Sequence, residues 1–101
     1  MARKFNTKRD GTAWSEETKR AVWAKGRLYS SNDDPNKFRK DICGTGMFYS
    51  DYGNRNDKWG WEIDHINPVA NGGGDELSNL QPLQWENNAS KGDKLNWKCS
   101  S

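Results

Sequence analysis

Trp61-Glu62-Ile63-Asp64-His65-Ile66-Asn67-Pro68 is the stretch that decides how this chain is read. Apolar and polar residues alternate as in a half-buried strand, which puts Trp61, Ile63 and His65 on one face and Glu62, Asp64 and Ile66 on the other. Asp64 and His65 therefore diverge unless the strand ends or bulges there, and Pro68 supports such an ending. His65 is the only histidine in the 101 residues. Its imidazole, with a reference pKa of about 6.5, can take a proton near neutral pH. The adjacent carboxylate offers a hard oxygen to a divalent cation, and a later amide oxygen can offer a second. Asn79 lies fourteen residues beyond His65, and Asn88 nine beyond that. A proton acceptor beside a cation-binding oxygen suits metal-dependent phosphodiester hydrolysis.

Upstream, Met47-Phe48-Tyr49-Ser50 reads as a strand joined to Trp59–Ile66 through the Gly/Asn/Asp-rich turn Asp51–Lys58. Downstream, Asn71–Asp75 is a glycine-rich flexible loop, and Leu80-Gln81-Pro82-Leu83 is a short edge-like strand because Pro82 cannot donate to a ladder. Trp85–Lys91 then forms a short helix stopped by Gly92. Further back, Ser15 caps a helix with Glu16 and Glu17 in its first turn and Gly26 as its stop. Trp14, Ala21, Val22 and Trp23 are its expected buried side. Ser30–Asn36 is a turn, with a helix expected to start near Pro35. Residues 1–11 are expected to be a mobile basic tail, and residues 12–101 a single domain.

Only 32% of the residues are hydrophobic, and the mean hydropathy is −1.21. Six tryptophans, three tyrosines and three phenylalanines must therefore supply much of the core. Residues 1–40 hold eleven Lys/Arg against five acids, and residues 41–101 hold five against nine. A basic part joined to an acidic part suits a polyanion presented to a cation-binding centre. Met1–Asp10 has no apolar stretch and no segment approaches membrane-spanning length, so neither a signal peptide nor a membrane partner is expected. Cytoplasmic location is the expectation, with reduced thiols the better reading of Cys43 and Cys99 and a Cys43–Cys99 disulfide the alternative.

Glu62-Ile-Asp-His-Ile-Asn-Pro, Gly72-Gly-Gly-Asp-Glu-Leu-Ser-Asn-Leu-Gln-Pro-Leu and Asn88-Ala-Ser-Lys-Gly, in this order and spacing, resemble the HNH endonucleases over roughly residues 59–93. The resemblance implies an α+β fold: a small ββα-metal (His-Me) finger, here with an added N-terminal helix. It also implies hydrolysis of DNA phosphodiester bonds. Carried over residue by residue, Asp64 looks like the metal-binding acid and His65 like the general base. Asn79 matches the residue that braces the loop and orients the histidine. Asn88 stands where the last His of the family name would be, as a second metal ligand, and Lys91 falls at a position often basic and close to the phosphate.

One divalent cation is implied, Mg²⁺ or Mn²⁺, with Ni²⁺ or Zn²⁺ able to bind in vitro. Many relatives hold a structural zinc with two Cys-x-x-Cys pairs. Here the first pair is reduced to Cys43, and Gln84 and Asn87 occupy the place of the second. No structural zinc is expected, with Trp59, Trp61, Trp85 and the N-terminal helix packing in its place. Arg55, Lys91 and Lys94 are expected phosphate contacts. Such contacts position double-stranded DNA without reading bases, so little sequence specificity is expected. The rival expectation is a non-catalytic nucleic-acid-binding or assembly module that keeps the finger beside larger phage or bacterial machinery, for example in phage DNA packaging.

Overall fold

Residues 4–99 are described by a computed structural model. The elements follow in the order α1 (Glu16–Trp23), β1 (Arg27–Leu28), β2 (Phe38–Lys40), β3 (Gly46–Phe48), β4 (Trp61–His65), β5 (Leu80–Gln84) and α2 (Trp85–Lys91). Three short 3-10 turns lie at Tyr49–Asp51, Val69–Asn71 and Leu77–Asn79. β1, β2 and β3 form one antiparallel sheet, and β4 and β5 form a second. Together with α2 the second sheet makes the ββα unit of an α+β fold.

In that unit Ile63 stands opposite Pro82 and His65 opposite Leu80. Pro82 is tolerated because both strands of a two-stranded sheet are edges, so one side of each needs no donor. α1 starts at Ser15, whose backbone is extended and whose Oγ accepts the Thr18 N–H at 3.1 Å. The helix ends at Trp23, short of Gly26; Lys25 and Gly26 continue as tighter i to i−3 turns on the Val22 and Trp23 carbonyls. α1 brings Val22 and Trp23, preceded by Trp14, against Met47, Trp61, Ile63 and Leu80. The Trp23 and Trp61 rings meet at 4.9 Å, and both indole N–H groups reach backbone carbonyls, of Pro35 and Tyr49 respectively. Aromatic area thus builds a core that aliphatic residues could not.

Two sequence expectations give way here. β3 does not form a hairpin with β4. It pairs with β2, and its link to the next segment is reduced to the Phe48 N–H on the Trp59 carbonyl and a parallel bridge between Tyr52 and Trp61. The chain curls at Tyr49–Asp51, and Gly60 lies so close to the Asn54 carbonyl that no Cβ would fit, which brings β4 in alongside Tyr52 instead. No helix starts near Pro35: Asp34–Lys37 is a turn, and Phe38 enters β2, where it stacks on Phe48 at 4.8 Å.

The region around Cys43 is built on a buried acid that the sequence did not single out. Asp41 is 1% exposed. Its Oδ1 accepts the Cys43 and Thr45 N–H groups, each at 2.9 Å, and its Oδ2 accepts the Gln84 N–H at 3.0 Å and Asn87 Nδ2 at 2.9 Å. Gln84 and Asn87 are thus clamped to the 41–45 turn, and the Gln84 side chain caps α2 by accepting the Glu86 and Asn87 N–H groups. Of the tryptophans expected to pack here, Trp61 lies under α1 instead, whereas Trp59, with Tyr29 and Phe38, packs against Gly46 beside the turn. The expectation of reduced thiols is also corrected, because Cys43 and Cys99 form a disulfide that ties the same turn to the C-terminal segment.

Candidate functional site

All five residues of β4 are buried, which means that both of its faces are covered. α1 covers the face of Trp61 and Ile63, so Glu62 and Asp64 meet residues of α2. Asp64 is held from two sides. Lys91 Nζ lies 3.2 Å from Oδ1, and Gln81 Nε2 donates to Oδ2 at 2.9 Å. Burial raises the Asp64 carboxyl above the usual carboxylate range, opposed by the Gln81 hydrogen bond and the Lys91 charge. Lys91 itself is only 3% exposed and also donates to the His65 carbonyl at 2.9 Å. One ammonium therefore fixes both the acid and the backbone of the histidine.

Asn88 is buried and donates Nδ2 to Glu62 Oε1 at 2.8 Å. Glu62 is in turn gripped by Arg55, Nε on Oε2 at 2.7 Å and Nη2 on Oε1 at 2.8 Å. A carboxylate only accepts, so it selects the NH₂ side of Asn88 and leaves the amide oxygen for another partner. Arg55, expected on phosphate, has its guanidinium in this fork, and its pKa is raised chiefly by the Glu62 hydrogen bond. Lys94 is exposed and reaches only the Ser90 carbonyl, at 3.3 Å. Of the three expected phosphate contacts, Lys94 alone lies on the surface with no acidic partner among the described residues, whereas Lys91 is buried.

His65 sits with its ring 5.5 Å from that of Trp14. Its Nε2 lies 2.8 Å from Asp75 Oδ1, an oxygen that also accepts the Arg9 N–H at 2.9 Å. No hydrogen bond joins the Asn79 side chain to the imidazole. Its side chain accepts the Asn67 N–H at 2.8 Å and donates to the Asn67 and Gly74 carbonyls, while its own carbonyl takes the Ile66 N–H. The loop after β4 is thereby closed on itself, and Gly73 lies too close to the Asn67 carbonyl for any Cβ. Asn79 braces this loop, and Asp75 provides the side chain that meets the histidine.

Asp64, His65 and Asn88 line one cavity of about 190 Å³. Lys4, Phe5 and Asn6 close it from the N-terminal side. Asn6 anchors that segment: its Oδ1 accepts the Ile63 N–H at 2.8 Å and the Tyr52 O–H at 2.9 Å. Among the described residues, no group of three or more His, Cys, Asp or Glu side chains converges to hold a metal. The cavity is lined instead by two carboxylates, Asp64 and Asp93, and by the amides of Asn88 and Asn6, the Asn6 oxygen being taken by Ile63 and Tyr52. That donor set fits a hard cation that keeps most of its shell as water and phosphate oxygen, as Mg²⁺ does.

Three residues that organise this site were not legible beforehand as site residues: Asp75, Asn6 and Arg9. Asp75 carried a weak signal, as the one acid closing a glycine run four residues before Asn79. Asn6 and the Arg9 backbone carried none, because their partners are 57 and 66 residues away.

Residues 52–94 match the family model described as HNH endonuclease. No curated protein and no solved structure matches the chain. The matched span contains β4, β5, α2 and all the cavity-lining residues except Lys4, Phe5 and Asn6. No helix among the described residues is long and apolar enough to cross a membrane.

Proposed function

With residues 52–94 an HNH endonuclease domain, we propose that this protein is a metal-dependent endonuclease that hydrolyses DNA phosphodiester bonds. The observation that supports this most is the convergence of Asp64, His65 and Asn88 on one cavity. Asp64 and the Asn88 oxygen hold one divalent cation, Mg²⁺ or Mn²⁺. When bound, that cation offsets negative charge developing on the phosphate. His65 takes a proton from water as the water oxygen bonds to phosphorus and the opposite P–O3′ bond breaks in line. The leaving 3′-oxygen takes a proton from solvent water, so the products carry a 3′-hydroxyl and a 5′-phosphate.

Lys91 keeps Asp64 and the His65 backbone in register, Asn79 holds the loop, and Glu62 with Arg55 presents the Asn88 oxygen. Lys94 and the cations of the N-terminal half contact phosphates of double-stranded DNA with little base selectivity. The setting is cytoplasmic, beside phage or bacterial DNA-processing machinery.

One observation favours a second reading, a non-catalytic nucleic-acid-binding or assembly module. Lys91 already gives Asp64 a cationic partner without any metal. Supercoiled plasmid incubated with Mg²⁺, Mn²⁺, Ni²⁺ or Zn²⁺ separates the two. Nicking that EDTA stops supports the endonuclease; retained DNA binding with no nicking in any metal supports the module. Asp64→Ala should lose both cleavage and calorimetric Mn²⁺ binding.

A further inference from the structure

Asp75 Oδ1 faces two nitrogens at once, His65 Nε2 at 2.8 Å and the Arg9 backbone N–H at 2.9 Å. A carboxylate oxygen is an acceptor with two lone-pair sites, so both nitrogens must donate to it. His65 Nε2 therefore carries a proton, and in the neutral ring the lone pair falls on Nδ1. We propose that Asp75 is the positioning residue for His65: it selects the tautomer whose free nitrogen is Nδ1 and stops the ring from turning. This rests on the reading of His65 as the general base, and it names Nδ1 as the atom that takes the water proton.

The surroundings suit the task. Asp75 follows Gly74, whose carbonyl is held by Asn79 Nδ2 at 2.9 Å, so the loop sets the carboxylate from its own chain. Arg9 holds the same oxygen from the N-terminal segment, which Asn6 pins to β4. Trp14 restricts the imidazole from a third direction. The Asp75 side chain is 37% exposed whereas that of His65 is 2% exposed, so the carboxylate keeps contact with water while it reaches a buried ring. A partner of this kind fixes ring orientation and typically changes activity by roughly 10–100-fold when removed.

The shared oxygen gives a diagnostic pair of variants. Asp75→Ala removes the acceptor. Asp75→Asn keeps one oxygen, and the Arg9 N–H holds that oxygen, not the NH₂, towards His65. In full-length protein labelled with ¹⁵N-histidine, at alkaline pH, wild type and Asp75→Asn should show an exchange-protected, downfield proton on His65 Nε2. Asp75→Ala should lose that signal, and its kcat for plasmid nicking should fall roughly 10–100-fold at unchanged KM. Asp75→Asn should stay within about tenfold of wild type. Should Asp75→Ala fold poorly by tryptophan fluorescence, Asp75→Ser, too short to reach the ring, takes its place with the same expected losses. A protected Nε2 proton and wild-type kcat in a folded Asp75→Ala or Asp75→Ser variant would overturn the proposal. Failure of the base reading is separate, because it shows as undiminished cleavage by His65→Ala, whatever the NMR signal does.

Discussion

Asp41 is the most demanding test of how the site is held in place. Its buried carboxylate accepts four hydrogen bonds: two from the 43–45 turn, one from the Gln84 backbone where β5 becomes α2, and one from Asn87. Asp41→Asn supplies only one oxygen. Two of the four donors then face an NH₂ group instead of an acceptor. At roughly 1.5–3 kcal/mol for each hydrogen bond to a charged group, losing two amounts to about 3–6 kcal/mol before relaxation. Domains of this size have about 5–15 kcal/mol in total, so the variant should be close to unfolding at physiological temperature.

Asp41→Ala, which abandons all four donors, should be at least as damaging. Urea titration followed by tryptophan fluorescence reads the difference as a shift in midpoint at constant slope. Because Gln84 and Asn87 begin the helix that carries Asn88 and Lys91, amide exchange should quicken along α2 in whatever Asp41→Asn remains folded. An Asp41→Asn protein within about 0.5 kcal/mol of wild type would refute the reasoning, because surface substitutions commonly cost no more.

Two further outcomes follow from the same structure. The Cys43–Cys99 disulfide closes a segment with a sequence separation of 56, so reduction, or the double change Cys43→Ala/Cys99→Ala, should lower stability by about 4 kcal/mol in the chain-entropy account. Two titratable thiols in the native, unreduced protein would contradict the pairing. Tyr49 and Tyr52 are each pushed up to about 12 from 10.0, Tyr49 by burial and then its hydrogen bond to Glu16, and Tyr52 by burial. The unfolded chain gives up these protons first. The contribution is therefore whole below pH 10 and is lost as pH rises through about 12. Ultraviolet absorbance should show two tyrosines ionising late in native protein and near the ordinary value in urea, and native titration of both near 10 would contradict the burial.

Much of the ββα unit is legible in the sequence because its signals are local. Alternation marks β4, Pro82 marks a strand that must be an edge, and Gly92 stops α2 one residue after Lys91. The spacing of Asp64, His65 and Asn88 likewise survives into one cavity, because a strand end and a following helix return to the same place. What was not legible depends on distant partners. β3 had two possible neighbours of similar aromatic character, and the curl at Tyr49–Asp51 chose β2. Lys91 looks like a surface lysine near a helix end until Asp64 is placed beneath it. Arg55 looks like a phosphate contact until Glu62, seven residues on, is buried beside it. Asn6 and Arg9 belong to a stretch whose composition reads as a mobile tail, and hydrogen bonds of Asn6 with Ile63 and Tyr52 and of Arg9 with Asp75 attach it.

The central claim is that His65 removes the proton from the attacking water. Its most direct test is the initial rate of plasmid nicking by His65→Ala beside wild type, in Mg²⁺, with folding and Mn²⁺ binding verified for both. The account predicts that His65→Ala binds metal as wild type does and loses roughly 10²–10⁴-fold in rate, the usual contribution of a general base. Nicking at the wild-type rate by a folded, metal-binding His65→Ala protein would contradict it.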